Sequence, residues 1–197
     1  MNKCSHFPFK IDYFNRELEL PNLEIILDTQ FGSRSSAHRM AIRQEILTRV
    51  SNDPKLLDLS IVPQQSTYSL SISHTYLSGG FAFSKDPGAI GFDIELTSRI
   101  LTSAVKRISR YEEEFNEAPA ADFLWTAKEA SFKALSSGHL NVFKISDTRV
   151  TEWLELEPGA FRFKSLTLRS EKNRECTGLC WRWEEFTLAI AKLSSPV

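Results

Sequence analysis

Residues 90–96 read Ile-Gly-Phe-Asp-Ile-Glu-Leu and alternate in character with the period of a β-strand. The isoleucine and phenylalanine side chains fall on one face, whereas Asp93 and Glu95 stand on the other face beside Gly91. Two carboxylates at i and i+2 lie roughly 7 Å apart along a strand, so both can reach one cation between them. The alternative is a solvated strand face that carries two acids outward.

A second informative segment is residues 125–133, Trp-Thr-Ala-Lys-Glu-Ala-Ser-Phe-Lys, which has the propensity of a helix. Trp125, Glu129 and Lys133 are spaced i, i+4 and i+8 and share a face, with Lys128 one position round. Taken alone, Glu129 and Lys133 form an ordinary surface ion pair. Set against an acidic strand, a third carboxylate and two lysines can hold a magnesium ion and the phosphates that it bridges.

Length and composition bound the class of protein. The chain has 197 residues, 42% apolar and 25% charged, with a net charge of −1, which are ordinary values for a globular protein. No global basic field favours nucleic acid as a partner. The sequence contains neither a signal peptide nor an apolar run of about 20 residues, so a cytoplasmic protein without a membrane partner is expected. The sparse cysteines, Cys4, Cys176 and Cys180, predict free thiols rather than a zinc site.

The order of predicted elements indicates an α+β fold. A helix followed by strands occurs twice, which predicts two similar lobes, each a long helix packed on a small, mostly antiparallel sheet. The lobes are assigned to residues 1–95 and 96–197, with a ligand cleft between them. The predicted elements are a strand at 23–27, a helix at 35–50, strands at 68–73, 81–84 and 89–96, a helical stretch at 98–136 interrupted near 116–119, and strands at 148–154, 161–168, 177–183 and 186–193.

Four segments, in the right order, resemble motifs of the phosphopantetheinyl transferases. Gly91-Phe-Asp-Ile-Glu95 resembles the family's Gly-x-Asp-x-Glu, and residues 125–133 resemble its Trp-[Ser/Thr]-x-Lys-Glu-[Ala/Ser]-x-x-Lys. Ser71-Ile-Ser-His74 is similar to Ser-[Ile/Leu]-Ser-His, and Ser36-Ala-His-Arg39 to the start of the N-terminal helix. Length and the doubled lobes resemble the monomeric, surfactin-type branch, whose two lobes are related by a pseudo-two-fold axis.

The resemblance implies an enzyme that transfers phosphopantetheine from coenzyme A to a serine of an apo acyl or peptidyl carrier protein and releases 3′,5′-ADP. It implies magnesium ligands at Asp93, Glu95 and Glu129, and a charge-stabilising role for Lys133. The proton of the serine would pass to a glutamate among residues 112–114, for which Glu113 is chosen, or to a water at the metal.

The resemblance also implies the residues that bind coenzyme A. His74, with Ser73 beside it and Arg39 helping, would bind the 3′-phosphate of the nucleotide, and Lys128 would contact phosphate. Without the motif, His74 would be a structural histidine and Arg39 an exposed cation. The full set assigned to the donor is Arg39, Ser73, His74, Asp93, Lys128 and Lys133.

The chain departs from the family at the adenine end. Residues 75–78, Thr-Tyr-Leu-Ser, stand where relatives have a glycine almost directly after the histidine. The family's Gly-[Lys/Arg]-Pro turn is missing, and Arg34 and Lys55 are only weak substitutes. An acidic carrier protein is expected to dock beside the cleft on a basic or apolar patch, unless those cations simply form an exposed helix face. The candidate cations are Arg99, Lys106, Arg107 and Arg110.

Two other functions compete with this interpretation. One is a non-catalytic module that binds a carrier protein or a nucleotide through a degenerate version of the site. The other is a different magnesium-dependent phosphotransferase, which the lack of a Gly-rich phosphate loop disfavours.

Overall fold

The computed structural model describes residues 15–32, 35–49, 68–86, 88–137, 144–168 and 174–194. These residues form two antiparallel sheets with helices packed on them, which confirms the predicted α+β class. The strands are β1 (Leu23–Asp28), β2 (Ser69–His74), β3 (Gly79–Ser84), β4 (Ile90–Leu96), β5 (Thr148–Glu157), β6 (Ala160–Thr167), β7 (Glu175–Trp183) and β8 (Phe186–Leu193). The helices are α1 (Ser36–Arg49), α2 (Thr102–Ile108), α3 (Glu112–Glu117) and α4 (Ala121–Ser137).

The first sheet has three strands in the order β1-β3-β2, and α1 packs against it. Ile42 and Ile46 on the buried side of α1 join Phe81 and Phe83 of β3 in one apolar cluster. These residues satisfy the helical period in α1 and the alternating period in β3, which explains why the sequence specifies this pairing of helix and sheet.

The second sheet has five strands in the order β4-β8-β7-β6-β5, and α4 lies across it. Strand β4 is covered on both faces, because Phe92 points into an apolar core while Gly91 faces α4. A Cβ at Gly91 would lie 1.9 Å from the carbonyl oxygen of Ala130 and 2.5 Å from the amide nitrogen of Ala134. The glycine therefore allows the backbone of α4 to pack directly on the strand that carries the two acids.

Strand β4 also joins the two halves of the molecule. It pairs with β8 along its whole length, and the backbone N–H of Phe92 donates to Ser71 Oγ of β2 at 2.8 Å. The predicted boundary between residues 95 and 96 thus falls within a strand of the second sheet. In each half a long helix packs on an antiparallel sheet, as predicted, whereas the pseudo-two-fold relation of a three-stranded and a five-stranded sheet stays a prediction.

Two further features bear on the sequence-based expectations. Within the described ranges, no helix combines the length and apolar character needed to cross a membrane. Cys176 and Cys180 are buried free thiols, as predicted, and burial raises the pKa of Cys176 to about 12. Cys4 lies outside the described residues.

Candidate active site

Two of the three predicted metal ligands lie on β4 and the third lies on α4, where these two elements pack against each other. Asp93 and Glu95 share the face of β4 that meets α4, and Glu129 stands on the half-buried face of α4. Asp93 is only 2% exposed. The alternative of a solvated strand face is therefore wrong for Asp93.

Asp93 is the best-connected member of this carboxylate cluster. Its Oδ1 accepts hydrogen bonds from Ser73 Oγ at 2.8 Å and from Lys133 Nζ at 2.7 Å. The ammonium of Lys133 also donates to the backbone oxygen of Phe92 at 2.9 Å. The second carboxylate oxygen, Oδ2, is buried and accepts no hydrogen bond from any residue that the structure describes. A buried carboxylate oxygen without a donor is costly and favours a cation beside it.

The electrostatics of the cluster point the same way. Burial, followed by repulsion from Asp93, raises the pKa of Glu95 from 4.5 to about 7, and Glu129 adds to the effect. Burial and Asp93 also raise the pKa of Glu129. Lys133 opposes both shifts. Three carboxylates thus face one ammonium group, and the excess negative charge is what a divalent cation would neutralise.

The oxygen donors of Asp93, Glu95 and Glu129 fit magnesium, although the three carboxylates do not surround one common point. Among the described residues, no three His, Cys, Asp or Glu side chains form a group close enough to hold a metal ion. The hard oxygen donors, the unpartnered Oδ2 of Asp93 and the raised pKa values of Glu95 and Glu129 all match the chemistry of a magnesium site. Asp93, Glu95 and Glu129 are the residues that would hold it.

A cleft of about 600 Å³ opens beside this cluster. Glu95 is the carboxylate that lines it, and Trp125 Nε1 donates to Glu95 Oε1 at 3.4 Å. His74, at the end of β2, lines the same cleft, and its role in binding a ligand stays a prediction. The lining residues are Ser35, His74, Thr75, Tyr76, Glu95, Leu96, Arg99, Ile100, Leu101, Ala104 and Trp125.

The predicted nucleotide-binding residues divide between two places. Ser73 is buried and bonded to Asp93, so it orients a carboxylate of the cluster. Arg39 is exposed on α1 and does not belong to the lining of the cleft, whereas Ser35, just before α1, does. Arg34 and Lys55 lie outside the described residues.

Lys128 requires a correction. Its ammonium is fully buried, 2.5 Å from Glu114 Oε1 and 2.5 Å from the backbone oxygen of Thr148. The same Glu114 oxygen accepts a hydrogen bond from the backbone N–H of Val150 at 2.8 Å. Lys128 therefore ties α4 to α3 and β5, and the predicted phosphate contact is wrong because the ammonium points into the core. Burial lowers the pKa of Lys128, and Glu114 opposes that shift.

The same contact removes one of the three candidate bases. Glu114 is committed to Lys128, whereas Glu112 and Glu113 are exposed on α3. Neither exposed glutamate lines the cleft as it stands. The structure thus leaves Glu113 available but does not bring it to the carboxylate cluster.

The four cations of the predicted docking patch have different surroundings. Arg99 lines the cleft, and Arg107 is exposed on α2. Lys106 Nζ lies 5.0 Å from the centre of the Phe115 ring. Arg110 donates to the buried Asp147 at 2.7 Å, so its charge is largely committed within the chain.

Sequence reasoning missed the contribution of Tyr76, Leu101 and Trp125 to the cleft, because these residues meet only through the tertiary fold.

Comparison with known proteins adds no family: no protein-family model and no curated protein matches this chain.

Proposed function

We propose that this protein is a magnesium-dependent enzyme that transfers a phosphate-linked group. The observation that carries the proposal is the cluster of Asp93, Glu95 and Glu129, with Lys133 beside it, at the edge of a cleft. Repelling carboxylates next to a lysine suit a metal together with an anionic substrate.

The particular enzyme that we propose is a phosphopantetheinyl transferase of the surfactin type, a cytoplasmic monomer. Its donor would be coenzyme A and its acceptor a serine of an apo acyl or peptidyl carrier protein. The four motifs support this choice, and so does the geometry around two of them. Ser73 contacts Asp93, and the neighbouring His74 lines the cleft that Glu95 enters.

In the proposed reaction, the serine oxygen forms a bond to the phosphorus that carries the pantetheine arm. The bond from that phosphorus to the bridging oxygen breaks, and 3′,5′-ADP leaves with the electron pair. Bound magnesium would neutralise charge on the diphosphate. Lys133, which Asp93 holds in an ion pair at 2.7 Å, would stabilise the developing charge on the leaving group.

The serine proton must pass to a base. Glu114 cannot serve, since it holds the buried ammonium of Lys128. Glu113, exposed on the same short helix, remains the proposed acceptor. The carrier protein would have to approach the molecule near α3 and the cleft-lining residues 99–101.

We propose that the carrier protein docks around Arg99 and α2. Arg99 lines the cleft, Arg107 is exposed nearby in sequence, and Leu101 between them is 65% exposed. A positive charge next to an exposed apolar side chain suits an acidic partner with an apolar contact residue. Arg110 contributes less, because it is paired with Asp147.

Two experiments separate this function from its rivals. Incubation with coenzyme A, magnesium and a panel of apo carrier proteins, followed by intact mass spectrometry, distinguishes an enzyme from a non-catalytic module. Calorimetric titration of coenzyme A and of ATP in the presence of magnesium distinguishes it from another phosphotransferase. We expect a mass gain in at least one carrier protein and tighter binding of coenzyme A than of ATP.

A further inference from the structure

The loop between β2 and β3 is built to hold one aromatic side chain away from the protein. Thr75 Oγ1 accepts hydrogen bonds from the backbone N–H groups of Leu77 at 3.1 Å and Ser78 at 3.2 Å. The backbone N–H of Thr75 donates to the oxygen of Ser78 at 2.7 Å. Both ends of the loop are buried, whereas Tyr76 between them is 70% exposed.

The base of this loop is also packed tightly against the preceding chain. A Cβ at Gly32 would lie 2.5 Å from the carbonyl carbon of Leu77 and 2.7 Å from the backbone nitrogen of Ser78. Ser78 Oγ donates in addition to the backbone oxygen of Asp28 at 3.3 Å. The exposure of Tyr76 is therefore fixed by the fold around it and does not follow from a loose loop.

Tyr76 lines the cleft two residues after His74. The cleft is also lined by Arg99 and Ser35, which are suited to phosphate, and by Glu95 of the carboxylate cluster. A ligand that carries phosphates and a flat aromatic ring would match this lining. In coenzyme A, the 3′-phosphate and the adenine are attached to the same ribose, so a side chain next to the phosphate-binding histidine is placed for the base.

We propose that Tyr76 is the platform on which the adenine of the donor stacks. This inference rests on the proposed function, because it takes coenzyme A as the donor and His74 as the ligand of the 3′-phosphate. Stacking on an aromatic ring uses the flat face of the base, so it needs no hydrogen-bond partner on the base. The residues at 75–78 would then supply the adenine contact that the missing Gly-[Lys/Arg]-Pro turn leaves open.

Calorimetry with two fragments of coenzyme A tests this assignment. 3′,5′-ADP carries the adenine, and 4′-phosphopantetheine lacks it. In Tyr76→Ala we expect the dissociation constant for 3′,5′-ADP to rise roughly 5- to 150-fold. The dissociation constant for 4′-phosphopantetheine should not change. Tyr76→Phe, which keeps the ring, should bind 3′,5′-ADP like the wild type.

Tyr111→Ala is a matched control, because Tyr111 is another exposed tyrosine and lies outside the lining of the cleft. Wild-type affinity for 3′,5′-ADP in Tyr76→Ala would overturn the proposal. A higher KM for the carrier protein with unchanged donor binding would overturn it too, and would make Tyr76 a carrier contact. If the wild type binds neither coenzyme A nor 3′,5′-ADP, the proposed function fails and this inference fails with it.

Discussion

Lys133 Nζ lies 2.7 Å from Asp93 Oδ1, so one ion pair joins α4 to β4, the two elements that carry the predicted metal ligands. Asp93 is almost fully buried, whereas about a quarter of the Lys133 side chain, 26%, is exposed. The pair with the buried Asp93 stabilises the packing of α4 on β4. In the proposed enzyme, it also positions the partly exposed lysine.

Loss of a metal-ligand carboxylate should abolish transfer and leave the fold intact. Glu129→Ala removes a carboxylate whose charged form is disfavoured by burial and by Asp93, so the melting temperature should stay the same or rise. Asp93→Ala should be equally inactive and less stable, since Lys133 and Ser73 lose their partner. Mass gain of an apo carrier protein and thermal unfolding measure the two effects. Full activity in either variant would contradict the metal assignment, and Glu117→Gln, an exposed acid on α3, is the control.

Substitution of Lys133 should slow the chemical step more than it weakens binding. Lys133→Met keeps most of the apolar part of the side chain but removes the charge that would stabilise the leaving group. We expect kcat to fall by about two orders of magnitude or more, by analogy with the removal of one preorganised donor, with a smaller change in KM for coenzyme A. Steady-state kinetics measure the split. A change confined to KM would show that Lys133 only binds the donor.

Stability of the metal-free protein should depend on pH through Glu95. Because the pKa of Glu95 is raised from 4.5 to about 7, the folded state keeps a proton that the unfolded state loses. The free energy of unfolding therefore falls through this group as the pH rises from 4.5 to about 7. Glu95→Gln should have a shallower fall, measured by urea denaturation across this range. Equal slopes in the variant and the wild type would contradict the shift.

Magnesium should counteract this loss of stability. A carboxylate must lose its proton to bind the metal, so magnesium affinity should increase as the pH rises through about 7. Titration calorimetry below and above this pH measures the change. Glu95→Gln should bind magnesium weakly at both pH values. An affinity that does not vary with pH would mean that Glu95 is not a ligand.

Breaking the buried pair of Lys128 and Glu114 should destabilise the protein strongly. Lys128→Met leaves the Glu114 carboxylate buried without its counter-ion, at a cost of about 3–5 kcal/mol. The double variant Lys128→Met, Glu114→Leu removes both charges and should recover much of that loss. Urea denaturation measures the free energies of unfolding. A double variant no more stable than the single variant would show that the pair is not what limits stability.

Local periodicity was sufficient for most of the fold and for the carboxylates. The period of two in β4 puts Asp93 and Glu95 on one face, and the helical period puts Glu129 and Lys133 on another. Which faces meet depends on Gly91, whose missing Cβ lets α4 lie directly on β4. That close approach buries Asp93, and the strand period alone could not distinguish it from a solvated face.

The helical pattern around Lys128 explains why the predicted phosphate contact is wrong. Lys128 is spaced i+4 from Leu124 and i−3 from Ser131, and both neighbours are fully buried. The apolar stripe of α4 therefore already contained the lysine, which indicates burial against a partner acid. Tyr76 and Leu101 had no such local signal, since their meeting in the cleft depends on how two distant segments pack.

The intact mass of an apo carrier protein, measured after incubation with this protein, coenzyme A and magnesium, tests the central claim most directly. The account predicts that one carrier serine gains a phosphopantetheine group. It also predicts no gain when a chelator removes the metal or when Glu129→Ala replaces the wild type. An unchanged mass for acyl and peptidyl carriers alike, with folded protein and magnesium present, would contradict the account.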